Sequence, residues 1–227
     1  MKDTKSGSWF SKISLLLYKY GLPSAFDLLN IKPDKLPWKR TVKTAIYTYW
    51  ENKLSKSLVA KSTLAYFTGN TCILGEPHII WSSTALHPRD IRRATLKAKL
   101  LSGTYTLQSN YAKWDKSGRT TSKCLMCAHE VDDVVHFLLT CSKLESIRKP
   151  LIQEIHQFLE SYDIETDFLN SHTHLVQLIL DPTNRFILNF LKPACDDSKF
   201  LDNLETLNRS LCFALHYGRA QILQYKP

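Results

Sequence analysis

Apolar residues recur at three- and four-residue intervals along most of the chain, the period of helices packed on one side. Trp9 to Tyr20 reads as an amphipathic helix closed by Gly21, and Pro23 to Leu29 as a short second one. A proline-punctuated basic connector, Ile31 to Arg40, overlaps the start of a longer helix, Pro37 to Ser57. On that helix Trp38, Val42, Ala45, Ile46, Tyr49 and Trp50 recur at helical spacing, a stripe that reads as core. Leu58 to Phe67 reads as a further helix ending at Gly69. Thr71 to Ser83, broken by Gly75 and Pro77, reads as loop with room for one short strand. Later helices are expected at Lys143 to Glu160, with Pro150 a position that kinks or divides it, and at Leu175 to Leu180, Arg185 to Leu191 and Phe200 to Tyr225. The fold class is mainly α.

The most informative helix is Pro88 to Leu101. Pro88 suits a first turn, Asp90 the positive end and Gly103 the stop. At about 100° per residue, Ile91, Ala94, Thr95, Ala98 and Leu101 form one face. Arg89, Arg92, Arg93, Lys97 and Lys99 cover the other, together with Leu96 and Leu100, so that side either packs or meets a partner. Tyr105, Gln108, Asn110, Tyr111, Lys113 and Trp114 follow. Cations for phosphates and flat rings for bases suit single-stranded nucleic acid. Arg89, Arg92, Arg93, Lys97, Lys99, Tyr111, Lys113 and Trp114 are therefore the candidate nucleic-acid contacts. The plainer alternative is a solvated helix beside a packed hairpin.

Charge supports that reading. The chain has 227 residues and a net charge of +9. Residues 1–123 carry 21 Lys+Arg against 7 Asp+Glu, a net of +14, and residues 124–227 carry 9 against 14, a net of −5. A basic half suggests a polyanion partner, RNA or DNA. Three regions are expected: a basic helical region at 1–87, a basic helix with a metal-binding segment at 88–150, and an acidic helical region at 151–227. The polar start lacks the apolar core of a signal peptide, and Ile13 to Leu17 is too short to span a membrane. A soluble, non-secreted protein of cytoplasm or nucleus, without a membrane partner, is expected. Cys72, Cys195 and Cys212 read as packed thiols outside any disulfide framework, and His156, His172, His174 and His216 as structural or exposed.

The remaining cysteines define the candidate chemistry. Cys124, Cys127, His136 and Cys141 form C-x2-C-x8-H-x4-C. Three thiolates and one imidazole in a short window suit a tetrahedral zinc ion. Val131 to Thr140 reads as a helix that carries His136, with Asp132 and Asp133 near its positive end and Cys141 just past its other end. His129 lies too close to Cys127 to reach round the ion, and the polar loop Lys116 to Lys123 before the pair disfavours a redox CxxC. Four protein ligands leave no open position, so Zn2+ here is expected to be structural.

"GTYTLQSN" at Gly103 to Asn110 and "CLMCAHEVDDVVHFLLTCSKLESIR" at Cys124 to Arg148 resemble the C-terminal zinc-binding domain of reverse transcriptases of LINE-type (non-LTR) retrotransposons. The shared pattern is Cys124, Cys127, the acidic Glu130, His136 before Phe137-Leu138-Leu139, Cys141 and then Arg148. The clear likeness covers about Arg89 to Pro150, with a fainter one upstream in "LPWKRTVK" and "IIWSSTALHPRD". The resemblance implies binding to the element's own RNA or its DNA target, and contact with the polymerase portion of the intact protein. Polymerase chemistry itself is not expected. Such enzymes carry an aromatic-x-Asp-Asp hairpin, whereas Asp132-Asp133 follows Glu130-Val131 between the proposed ligands, and Asp196-Asp197 follows Ala194-Cys195. No phosphate-binding P-loop and no G-x-S-x-G elbow occurs. The expectation is a helical, zinc-binding, non-enzymatic module that binds nucleic acid. The alternatives are a zinc-stapled protein-interaction module or an inert retroelement remnant.

Overall fold

The computed structural model describes residues 8–67 and 74–224, and it is mainly α-helical. Among the described residues there is no strand; Lys123 and Val131 form one isolated antiparallel bridge. Two compact units divide at Ala60.

The first unit holds α1 (Trp9–Lys19), α2 (Ala25–Ile31) and α3 (Lys35–Ala60). Ser24 opens α2 with a reciprocal capping box: its hydroxyl accepts from the Asp27 amide while the Asp27 carboxylate accepts from the Ser24 amide. Helix α3 is longer at both ends than its apolar stripe indicated. That stripe is only half-buried: no residue of α3 is buried, and Leu17 of α1 is the one buried side chain among residues 8–60.

The second unit contains α4 (Ile79–Ser82), α5 (Pro88–Leu101), α6 (Gln108–Trp114), α7 (Glu145–Glu160), α8 (His172–Leu180), α9 (Arg185–Leu191) and α10 (Phe200–Ile222). Helix α10 is central and packs against α7, α5, α8 and α4. Its buried Leu204, Leu211 and Leu215 join Leu100, Phe137, Leu144, Ile155 and Val176 in one core. Gly218 allows the close approach of α7, because a Cβ there would lie 2.3 Å from Ile147 Cδ1. Gly103 ends α5 in the left-handed region (φ +64°), with a Cβ position 2.3 Å from the Thr63 carbonyl oxygen, so glycine is required twice over. The Thr104 amide donates to Lys99 O at 2.9 Å and the Gly103 amide to Leu100 O at 3.2 Å, closing the helix end.

Several expectations need correction. The segment before α5 forms the short helix α4, capped by His78 Nδ1 accepting from the Ile80 amide, in place of a loop with a short strand. Residues 71–73, with Cys72, lie outside the described residues, as do Gly69 and Tyr225. Pro150 lies inside an unbroken α7 that follows a 3-10 turn at Ser142–Leu144. Buried on α5 are Ala94, Leu96, Lys97, Leu100 and Leu101, while Ile91 is exposed. The basic side of α5 thus packs at Leu96, Lys97 and Leu100, one of the two outcomes that its two leucines left open. Leu96 and Leu100 pack on that side, and Lys97 between them is fully buried with its Nζ paired to Glu205 of α10. The expected regions 88–150 and 151–227 fall within the one unit that begins at Lys61. Cys212 is buried as expected, but Cys195 is exposed, its thiol directed to Leu191 O at 3.3 Å.

Candidate metal centre

The segment around Cys124 folds back on itself before any helix starts. The Cys124 amide donates to Glu130 O and the Ala128 amide to Cys124 O, both at 2.8 Å, closing a tight knuckle in which Ala128 takes a positive φ of 62°. Amides of Met126 and Cys127 point to the Cys124 sulfur, and those of His129 and Glu130 to Cys127, each favouring the thiolate. The chain then crosses Asp132 and is capped by Asp133, whose Oδ1 accepts from the His136 amide at 2.8 Å. The expected helix from Val131 therefore begins later, and His136–Thr140 is a π-helical turn. Its i→i+5 closure, Cys141 amide to His136 O at 2.8 Å, brings Cys141 back beside the histidine.

All four expected ligands come together. Cys124, Cys127, His136 and Cys141 are buried, with one ligand atom from each lying within 4.8 Å of all the others. Cys124 Sγ is 3.9 Å from Cys141 Sγ, and Cys127 Sγ is 3.4 Å from His136 Nε2. The group could hold one metal ion, and among the described residues no second such group of Cys, His, Asp and Glu occurs. His129 is exposed and stands outside the cluster. His136 Nδ1 lies 2.7 Å from Glu130 Oε2, which also accepts from Thr140 Oγ1 at 2.9 Å. That contact fixes the ring and directs Nε2 at the three sulfurs. Burial pushes the Cys141 thiol up to about 12 and raises Cys124 as well. Burial would also raise Cys127, but the amides of His129 and Glu130, the Cys124 side chain and the His136 charge outweigh it and bring that thiol down to about 7.

Two buried arginines, neither of them a ligand, fasten the centre. Arg148 of α7 donates from Nε to Leu138 O at 2.8 Å and from Nη2 to Cys141 O at 2.7 Å. These are carbonyls at the end of the turn that bears two ligands. Arg219 of α10 grips Asp132 through two hydrogen bonds, and Asp132 Oδ2 also accepts from the Gln108 amide at 2.9 Å. Sequence spacing brought out Glu130 and Arg148 within the resemblance. The partner of Asp132 lies 87 positions away, and no local pattern could have paired them.

The candidate nucleic-acid residues fare unevenly. Arg89, Arg92, Lys99, Lys113, Tyr111 and Trp114 are exposed. Tyr111 and Trp114 meet edge to face at 6.0 Å on α6. Arg93 is partly covered, its guanidinium 5.8 Å from the Phe213 ring centroid and 3.8 Å from Asp90. Lys97 is withdrawn into the core by Glu205 and has no surface to offer a phosphate. Tyr105 and Asn110 are buried too: Tyr105 OH pairs with His216 Nδ1 at 2.8 Å, and Asn110 Nδ2 donates to the carbonyls of Gly103 and Tyr105. Compared with protein-family models, curated proteins and solved structures, the chain matches none.

Proposed function

We propose that Cys124, Cys127, His136 and Cys141 hold a structural zinc ion, and that the unit fastened around it binds single-stranded nucleic acid. The observation that carries the first part is the buried convergence of three sulfurs and one imidazole nitrogen within 4.8 Å. Ligands at tetrahedral corners about zinc stand ~3.5–3.8 Å apart, given Zn–S near ~2.3 Å and Zn–N near ~2.0 Å. The 3.9 Å sulfur pair and the 3.4 Å sulfur–nitrogen pair fit that edge length. Thiolates favour zinc over hard cations such as magnesium or calcium. When bound, the ion supplies a four-way cross-link between the knuckle and the π turn and offers no open position for catalysis.

The second part rests on exposed Arg89, Arg92 and Lys99 of α5 and on Tyr111, Lys113 and Trp114 of α6. Exposed cations and ring faces on elements fixed to the metal centre suit phosphates and unstacked bases. The likeness at Arg89 to Pro150 to LINE-type reverse-transcriptase zinc-binding domains supports the same reading, with retroelement RNA or target DNA as ligand. The test is a titration of zinc-loaded protein against labelled single-stranded RNA and duplex DNA at two salt concentrations. Binding that falls steeply with salt and prefers the single strand is expected; absence of binding at low salt would refute it.

One observation favours a second reading, a zinc-stapled protein-interaction module. Phe186 and Phe190 are exposed on α9 in the acidic half, and Phe190 stacks on Phe168 at 4.4 Å. Replacing Arg89 and Arg92 by Glu separates the two, because it reduces nucleic-acid binding under the first and leaves protein contacts intact under the second.

A further inference from the structure

The first unit leaves apolar surface uncovered in a pattern that chance exposure of single side chains does not produce. Trp9, Phe10, Leu15 and Leu16 of α1 and Phe26 and Leu29 of α2 are all exposed. The two sets are continuous, since the Phe10 and Phe26 rings meet edge to face at 5.7 Å. Contiguous exposed apolar surface of this kind marks a binding face. A cation shares it. At about 100° per residue, Lys12 falls on the same outward arc of α1 as Leu15 and Leu16. Lys19 Nζ lies over the rings of Tyr20, Tyr49 and Trp50 at 5.0–5.2 Å, which pins the end of α1 to α3.

We infer that this face of α1 and α2 docks on an anionic bilayer surface. Residues 8–60 carry nine Lys+Arg against three Asp+Glu, a net of +6, and eight of the nine cations are lysine. Protein interfaces are depleted in lysine, whereas helices that lie in a lipid headgroup layer combine Lys with Trp, Phe and Leu. Lysine stems bury along the acyl boundary while the ammonium groups stay with anionic headgroups. Nucleic acid gives no reason for Leu15, Leu16 and Leu29 to be exposed, because aliphatic side chains have no ring face for a base. A second copy would bring one unit of net +6 against another. The helices here are far too short to cross a bilayer, and lying on one needs no such length.

The test uses the full chain, zinc-loaded, sedimented with vesicles of phosphatidylcholine carrying about a quarter phosphatidylserine, and with vesicles of phosphatidylcholine alone. Binding to the anionic vesicles, weakened by salt and absent from the neutral ones, is expected. The variant Leu15→Gln with Leu16→Gln changes only exposed side chains and should weaken vesicle binding by about tenfold or more, with its circular dichroism and single-stranded RNA binding unchanged. No association with anionic vesicles at low salt would overturn the proposal. So would undiminished binding by the double variant, which would leave charge alone at work. A self-association in analytical ultracentrifugation that the double variant abolishes would assign the face to a second copy and overturn it as well. A loss of RNA binding in the same variant would assign the face to nucleic acid, with the same result for the proposal.

Discussion

Arg219 and Asp132 form a two-pronged buried ion pair, Nη1 to Oδ1 at 2.9 Å and Nη2 to Oδ2 at 2.7 Å. Asp132 sits between Cys127 and His136, and Arg219 on the last turns of α10. The pair therefore joins the segment that carries the candidate metal ligands to the longest helix of its unit. Removing one partner leaves the other charged and buried, so Arg219→Ala should cost about 3 kcal/mol or more of unfolding free energy. Chemical denaturation of the metal-loaded variant checks this. The knuckle would lose its anchor, so metal affinity should fall together with stability.

The opposite direction of the same coupling is also measurable. Closed four-ligand sites contribute folding energy directly. Cys127→Ser, or a strong chelator, should unfold at least Lys123 to Arg148. Arg148 and Arg219 tie that segment to α7 and α10, so helical signal from those elements should fall too. Circular dichroism and thermal melting report it, and an unchanged melt after verified metal removal would contradict the coupling.

Glu130 reaches His136 from an exposed position and touches no metal-ligand atom except through the ring. Glu130→Gln keeps a hydrogen-bonding group but loses the charge that orients the imidazole. Metal affinity should drop roughly 10- to 100-fold with little change in the fold, measured by competition with a chromophoric chelator.

Protonation sets the pH dependence. In the metal-free fold Cys141 is pushed up to about 12 and Cys124 is raised by burial, so both are thiols near neutrality, while Cys127 at about 7 is partly ionised. A bound metal needs thiolates and must displace those protons. Affinity should therefore rise with pH through the neutral range, with proton release on binding, and the metal should leave as acid returns the protons. Without metal the sign reverses. Cys141 and Cys212, each held near 12 by burial, ionise earlier in the unfolded chain. The metal-free fold should then lose stability as pH climbs above the ordinary thiol value of about 8.5. Urea midpoints across pH, with and without chelator, test both slopes.

The basic helix divides into residues that can be probed and one that cannot. Lys97 and Glu205 are both fully buried, and burial pushes the Glu205 carboxyl up against the opposing pull of Lys97. Lys97→Ala should cost about 3 kcal/mol, because it leaves that carboxylate only the longer 3.8 Å contact to Arg209, and any loss of nucleic-acid binding would then reflect unfolding. Arg89→Glu with Arg92→Glu, both exposed, should leave the melt unchanged and reduce RNA binding. Filter binding and thermal denaturation on the same samples separate the two cases.

Local pattern made the four ligands and most helices readable in the sequence. A candidate metal site within one short segment is written in spacing, and α9 matches its apolar run residue for residue. What failed did so for non-local reasons. The buried face of α5 includes Lys97, which periodicity counts as polar, and its partner stands 108 positions away on α10. Asp132 looked like a helix-end charge, but its role is set by Arg219. Tyr105 and Asn110 read as stacking or polar contacts and instead hold the loop after α5 together. The half-buried stripe of α3 shows the limit of periodicity, since it marks a face without saying what covers it.

The most direct test of the account is the metal content and cobalt spectrum of the purified chain. Zinc should be found at about one ion per chain. Cobalt substitution should give the visible bands of a tetrahedral site with thiolate-to-metal charge transfer, and both should vanish in Cys127→Ser. A wild-type chain that binds no zinc or cobalt and melts as cooperatively after chelation as before would contradict the central claim.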